Sequence, residues 1–230
     1  MAACLLGDRL KTTTLAIALA IVLVSTACGG GSDDGSPASP SPPVPSLSPT
    51  LLAGSTQVPP LAEMLADKHL GPAGAPNIVI GYSSLACSHC ADFHTQSLPT
   101  LRQQYLEKGV ATFVYRDFYL DATSLRGAMV ARCAGDSRFY AVLDVIYQSQ
   151  STWARSADAW GAMQKTLRDA GLSQTLMDAC LATPGLEAGV TAIRQQGIDA
   201  HGINGTPTFI VNGNKVVGNV PLAAITSYFK

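Results

Sequence analysis

The sequence lacks a strong charge of either sign and a long apolar run at its start. Its 230 residues include 15 Lys and Arg against 16 Asp and Glu, which gives a formal net charge of −1. Such a balance offers no basic surface for nucleic acid, and no nucleic-acid partner is expected. The apolar run from Leu15 to Val24 is shorter than the roughly 20 residues that span a bilayer as a helix.

The short apolar run instead has the features of an export signal. Arg9 and Lys11 precede it, and small residues lead to Cys28, a pattern that resembles a bacterial lipobox. We therefore predict a signal peptide over residues 1–27, lipidation of Cys28, and a periplasmic protein anchored to a membrane through its N-terminal lipid. Ordinary cleavage near Ala27, which would release a soluble protein, is the alternative.

The next segment lacks aromatic residues and apolar periodicity. Residues 28–60 are rich in Gly, Ser and Pro, and such a composition cannot bury enough surface to offset the entropy of ordering. We predict a lipidated N-terminus and linker over 28–60, followed by one domain over 61–230.

Cys87-Ser88-His89-Cys90 is the most informative motif of that domain. An apolar run from Asn77 to Tyr82 precedes it, and a helical pattern follows. The order of strand, loop, C-x-x-C and helix is typical of thiol–disulfide oxidoreductases. Cys87 at the helix N-terminus would be stabilised as a thiolate, His89 would add a hydrogen bond or a charge, and Cys90 would be the shielded resolving thiol.

A metal site is the alternative interpretation of this motif. His94 makes a C-x-x-C-x-x-x-H run that could supply three zinc ligands. No second ligand pair is evident nearby, so we expect neither a metal nor a cofactor. Ala91 occupies the position where the axial histidine of a c-type haem site would follow Cys90.

The remaining cysteines predict a second disulfide. Cys4 lies in the signal and Cys28 is the lipid site, which leaves Cys133 and Cys180 once Cys87 and Cys90 pair as the redox-active disulfide. We interpret the second pair as structural, and a thiol relay with the first pair is its functional alternative. Both cysteines fall in a helical segment predicted at about 123–182.

The end of the chain predicts a hairpin. Residues 208–211 and 215–217 flank an Asn-Gly turn. Pro207 stands at the head of the first strand, where it cannot donate a ladder hydrogen bond, so we expect a cis Thr206–Pro207 bond beside the active site.

Together these segments resemble the DsbA family as it occurs in alphaproteobacteria. The C-x-H-C motif, residues 131–136, residues 178–181 and residues 205–209 carry the resemblance. It implies an α/β thioredoxin fold with an inserted helical domain, Cys87 as the attacking thiol, Cys90 as the resolving thiol, and Thr206 with cis Pro207 as the residues that bind the substrate backbone. Two positions depart from the family: Gly81 stands where a buried acid is usual, and Ser88 where many members have proline.

The resemblance also implies a function. We expect a monomeric oxidase that donates the Cys87–Cys90 disulfide to the thiols of folding exported proteins and is reoxidised by a quinone-linked membrane partner of the DsbB type. A disulfide isomerase or reductase is the alternative within enzymes. A non-catalytic metal-binding surface lipoprotein is the alternative outside them.

Overall fold

The computed structural model describes Leu52 and residues 57–230. The predicted signal peptide, the predicted lipid site at Cys28 and most of the predicted linker lie outside the described residues. Leu52 falls within the range predicted as linker, yet its side chain is buried. Its backbone N–H donates to the carbonyl of Ala170, and its own carbonyl accepts from Arg138. The chain is therefore already packed against the domain at Leu52.

A five-stranded mixed sheet forms the centre of the domain. In chain order its strands are β1 (Lys68–Leu70), β2 (Asn77–Ser83), β3 (Ala111–Asp117), β4 (Thr208–Val211) and β5 (Asn214–Val217). The spatial order is β1-β3-β2-β4-β5. β2 and β3 are parallel, as the long crossover between them predicts, and the other neighbouring pairs are antiparallel.

The described helices are α1 (Leu61–Leu65), α2 (Ser88–Asp92), α3 (Leu98–Leu101), α4 (Ala122–Cys133), α5 (Asp136–Gln148), α6 (Gln150–Trp153), α7 (Ala159–Asp169), α8 (Gln174–Leu181), α9 (Leu186–His201) and α10 (Leu222–Thr226). Helices α4 to α8 form the helical insert, within one or two residues of the predicted boundaries. The predicted class, a thioredoxin fold with an inserted helical domain, is confirmed. Among the residues described, no helix is both long and apolar enough to cross a bilayer.

The helix that carries the C-x-x-C motif is irregular. Two π-helical turns, Phe93–Ser97 and Arg102–Leu106, flank α3. Pro99 lies at the start of α3, and a proline inside a helix removes one backbone donor and clashes with the carbonyl four residues earlier. The wider turn ahead of Pro99 accommodates this clash while the chain continues as one helical segment.

A buried ion pair joins the insert to the sheet. Arg132 of α4 donates from Nε to Asp117 at the end of β3 at 2.5 Å, and both side chains are buried. Its Nη1 also donates to the carbonyls of Met64 and Ala66. Because removing one member of such a pair leaves an uncompensated buried charge, loss of either side chain would destabilise the packing of α4 against β3.

Trp153 is a residue of the hydrophobic core. Its side chain is buried and its indole N–H donates to the carbonyl of Ile146 at 2.8 Å. Trp153 is therefore a packing residue of the core, with its one polar group satisfied inside the protein.

The predicted Cys133–Cys180 disulfide is present and joins α4 to α8. Replacing both residues by Ser should lower the free energy of unfolding by up to about 4 kcal/mol, because the bond closes a loop with a sequence separation of 47. Denaturant unfolding of the purified protein measures this effect. Disulfide exchange at the separate Cys87–Cys90 pair should continue in the variant. Its loss in a folded variant would contradict the structural assignment and favour a thiol relay.

Candidate active site

Cys87 lies at the N-cap of α2, directly after the loop that leaves β2. Its side chain is half-buried, whereas Ser88 and His89 are exposed and Cys90 is buried. Both cysteines are free thiols. Local sequence explains this arrangement: the chain leaves the carboxyl end of β2, and the backbone N–H groups of His89 and Cys90 at the start of the following helix lie where they stabilise the Cys87 sulfur.

The loop before β4 forms the opposite wall of the site. β4 pairs with β2 so that Thr208 faces Tyr82, which places the preceding loop next to the cysteines. The Thr206–Pro207 bond is cis, as predicted. The Cys87 thiol donates to the Thr206 carbonyl, with 3.3 Å between sulfur and oxygen.

The surroundings of Cys87 favour its thiolate. A hydrogen bond from the Cys90 thiol makes the largest contribution, and the Thr206 hydroxyl and the backbone N–H groups of Cys90 and His89 add to it. Partial burial opposes them, and the net result lowers the pKa of Cys87 to about 5. In the thiol form the Thr206 hydroxyl is buried without a partner among the described residues, so it is free to donate once Cys87 ionises.

Cys90 has the opposite environment. Its side chain is 1% exposed, and this burial is the main cause that raises the pKa of Cys90 far above that of a free thiol, with the neighbouring Cys87 adding to the effect. The Ser84 N–H is 3.5 Å from its sulfur. Cys87 is thus the accessible, ionised sulfur and Cys90 the protonated, shielded one.

His89 contributes differently from the sequence prediction. The contribution that stabilises the Cys87 thiolate comes from its backbone N–H, and no hydrogen bond from its imidazole to Cys87 is among the contacts of the described residues. The reason is orientation: residue 89 lies on the outer side of α2, where its side chain is exposed.

Gln150 is a site residue that sequence reasoning missed. It lies on α6 of the insert, its side chain is buried, and its Nε2 donates to the carbonyls of Leu85 at 2.6 Å and Cys87 at 3.0 Å. The insert thereby holds the active-site loop directly. A glutamine 63 residues after Cys87 in the chain carries no local signal that could have revealed this contact.

Gly81 leaves no room for a side chain. A Cβ placed there would lie 2.7 Å from Cζ of Phe113, a ring that is itself buried in the core. The buried acid that the family resemblance implied for this position is therefore replaced by aromatic packing.

His94 does not join the cysteines. Its Nε2 lies 2.6 Å from Asp144 of α5, and its ring packs on Tyr147 with 4.7 Å between centroids. Within the described part of the chain, no cluster of three or more His, Cys, Asp or Glu is arranged to hold a metal ion. The three-ligand zinc arrangement proposed as the alternative does not form at this motif.

Fold and site together define a thioredoxin-fold protein with an asymmetric dithiol and an inserted helical domain. A family model described as Thioredoxin matches residues 64–230, and the chain belongs to this family.

Relatives in Rickettsia are named as protein-disulfide oxidoreductases. The protein named "Putative protein-disulfide oxidoreductase" of Rickettsia typhi is 30% identical over 148 residues, 64% of this chain and 55% of the relative. Its counterpart in Rickettsia conorii is 30% identical over 162 residues, 70% of this chain and 58% of the relative. The chain thus spans little more than half the length of the curated relatives it matches.

Solved structures confirm the resemblance to the DsbA family. Wolbachia pipientis alpha-DsbA1 superimposes with a TM-score of 0.65 at 25% identity, over 70% of this chain and 87% of that one. A protein-disulfide isomerase of Novosphingobium aromaticivorans shares the fold with a TM-score of 0.60 at 23% identity, over 70% of this chain and 95% of that one.

The asymmetry of the two sulfurs predicts a specific pH dependence. Alkylation of Cys87 by iodoacetamide should follow a midpoint near pH 5, well below the roughly 8.5 of a free thiol. Because its largest stabiliser is the Cys90 thiol, Cys90→Ala should raise this midpoint more than His89→Ser, which keeps the backbone N–H. A midpoint near pH 8.5 in the unaltered protein would contradict the assignment.

The same lowered pKa links the redox state to stability. Between pH 5 and about 8.5 the unfolded Cys87 thiol holds a proton that the folded protein has lost, so the free energy of unfolding of the reduced form rises with pH. The gain disappears as the pH falls through 5. The oxidised form, in which neither sulfur titrates, is the control in parallel denaturant titrations.

Proposed function

We propose that the protein is an extracytoplasmic thiol–disulfide oxidase that donates the Cys87–Cys90 disulfide to folding exported proteins. One observation carries the proposal: the accessible sulfur has a pKa lowered to about 5, and the buried sulfur has a raised one. A stabilised thiolate favours the reduced dithiol over the disulfide. The disulfide is then a strong oxidant, as in DsbA, whose reduced form is stabilised by a thiolate of low pKa.

The mechanism uses the difference between the two sulfurs. A substrate thiolate attacks the Cys87 sulfur, the bond between the two cysteine sulfurs breaks, and Cys90 leaves as a thiolate that takes up a proton. A second substrate thiolate then attacks the substrate sulfur of the mixed disulfide and releases the Cys87 thiolate. Two electrons pass to the protein, and the substrate gains one disulfide.

The Thr206 carbonyl and Pro207 supply the wall against which the substrate backbone would bind. Thr206 interacts with both protonation states of Cys87. Its carbonyl accepts a hydrogen bond from the thiol, and its hydroxyl favours the thiolate. In this proposal a quinone-linked membrane protein of the DsbB type reoxidises the dithiol, and the protein works as a monomer.

Isomerase or reductase activity is the competing function. The same dithiol would carry either one, and the names of the Rickettsia relatives do not state a direction. Whether the protein oxidises or reduces its substrates depends on the reduction potential of the Cys87–Cys90 pair. One measurement of that potential therefore distinguishes these functions.

The equilibrium of the Cys87–Cys90 pair against glutathione buffers tests the proposal. A potential near about −120 mV is expected for an oxidase, whereas a value near about −270 mV would identify a reductase. The Cys133→Ser/Cys180→Ser variant is the matched control, because it removes the other disulfide of the domain. If the reduced protein bound zinc stoichiometrically and showed no disulfide exchange, the metal-binding lipoprotein would be the better account of its function.

The proposed location has a separate test. We propose that the protein is exported and anchored to a membrane through lipid on Cys28, on the strength of the pattern of residues 24–28. Cys28→Ser should move the protein from the membrane fraction to the soluble fraction, because the acceptor of the lipid is gone. Fractionation followed by immunoblotting measures the change. Unaltered membrane association of a cleaved, unlipidated Cys28→Ser protein would refute the anchor.

A further inference from the structure

The helix that carries Cys90 places it over a defined face of the sheet. Phe93, three residues after Cys90 and so on the same side of the helix, packs on Phe113 of β3 at 5.8 Å and on Phe209 of β4 at 4.5 Å between ring centroids. Side chains alternate along a strand, so Tyr115 of β3 points to the same face as Phe113. Cys90 and Tyr115 therefore share one layer between helix and sheet.

Tyr115 is half of a buried hydroxyl pair. Its oxygen lies 2.9 Å from that of Tyr147, which α5 of the helical insert contributes. The two residues are 1% and 3% exposed. The pair has two hydroxyl hydrogens, and the bond between the oxygens uses one of them. Among the hydrogen bonds of the described residues, the other hydrogen has no acceptor.

Few other polar groups reach Cys90. In the parallel register Tyr115 pairs with Gly81, which has no side chain and no room for one. The polar groups that act most strongly on Cys90 are the Ser84 N–H, the Thr206 hydroxyl and Cys87 itself. A spare hydroxyl hydrogen in this layer is therefore a rare donor for a sulfur that carries charge during the reaction.

The charge on Cys90 also affects the pKa of both tyrosine hydroxyls. Burial is the largest cause that raises the pKa of each hydroxyl, and the negative charge of a Cys90 thiolate raises both further. A charge on Cys90 thus favours the protonated, hydrogen-bond-donating form of the pair.

We propose that the Tyr115–Tyr147 pair turns its spare hydrogen toward Cys90 when the disulfide opens and stabilises the departing thiolate. The inference rests on the proposed function and assigns to the pair the stabilisation of one reacting atom within it. The attacking thiolate forms a bond to the Cys87 sulfur, the electron pair of the broken bond stays on Cys90, and Cys90 then takes its proton from solvent. The tyrosines keep their own protons throughout.

The decisive variant is Tyr115→Phe/Tyr147→Phe. It keeps both rings and removes both hydroxyls, so it leaves no buried polar atom unpaired. Reduction of the Cys87–Cys90 disulfide by glutathione, followed by stopped flow, should slow about tenfold, as expected for the loss of a hydrogen bond to a charged group. Each single variant keeps one hydroxyl hydrogen that can turn toward Cys90, so it should slow the reaction less than the double variant, yet it should be less stable because one buried hydroxyl is left unpaired.

The reverse step provides a readout that a merely structural role would not change. Closure of a mixed disulfide between Cys87 and glutathione requires the Cys90 thiolate. Its rate profile should therefore move about one pH unit upward in the double variant, in line with the tenfold effect. The alkylation midpoint of Cys87 should stay unchanged, since neither tyrosine contributes to the pKa of Cys87.

Tyr140→Phe is the matched control. Tyr140 also has a raised pKa, but its hydroxyl donates to the Lys68 carbonyl and Cys90 is not among the causes. This variant should exchange at the rate of the unaltered protein. Unchanged rates and pH profiles in the double variant would overturn the proposed role of the pair while leaving the oxidase intact. An unaltered protein that fails to react with glutathione at all would overturn both.

Discussion

Two sulfur atoms only three residues apart have opposite environments, and the rest of the site depends on this difference. Cys87 lies at a helix N-cap among backbone and side-chain donors, so its pKa is lowered to about 5. Cys90 lies inside the helix at 1% exposure, so its pKa is raised. Desolvation disfavours the thiolate form of a buried cysteine, whereas hydrogen bonds donated to a thiolate favour it. The sulfur that is attacked follows, because a partner can reach Cys87 and the better stabilised thiolate of the reduced pair is also that of Cys87.

Three distant parts of the chain maintain this difference. The sheet supports the helix through Phe93, and the loop before β4 brings the Thr206 carbonyl to the Cys87 sulfur. The helical insert contributes Gln150, which holds the carbonyls of Leu85 and Cys87. The insert is therefore part of the active site as well as a cover for the sheet, and the Arg132–Asp117 pair is one of the contacts that join it to β3.

Much of the fold was predictable because its signals are local. The apolar runs at β2 and β3, the length of the crossover between them and the Asn-Gly turn of the last hairpin follow from short-range periodicity and turn preferences. The short elements α1, β1 and α10 were missed. β1 has three residues, too few to show a period, and it forms only because β3 offers an antiparallel edge.

The sequence by itself determined the C-x-x-C motif, the Cys133–Cys180 disulfide and the cis Thr206–Pro207 bond, because spacing and residue type suffice for these. Tertiary structure alone decided that Phe113 fills the space beside Gly81, that Gln150 holds the loop of Cys87, and that the Tyr115 and Tyr147 hydroxyls bond to each other. Their partners are 32 to 65 residues away in the chain. Contacts over such distances depend on how helices and strands pack, and no local pattern encodes them.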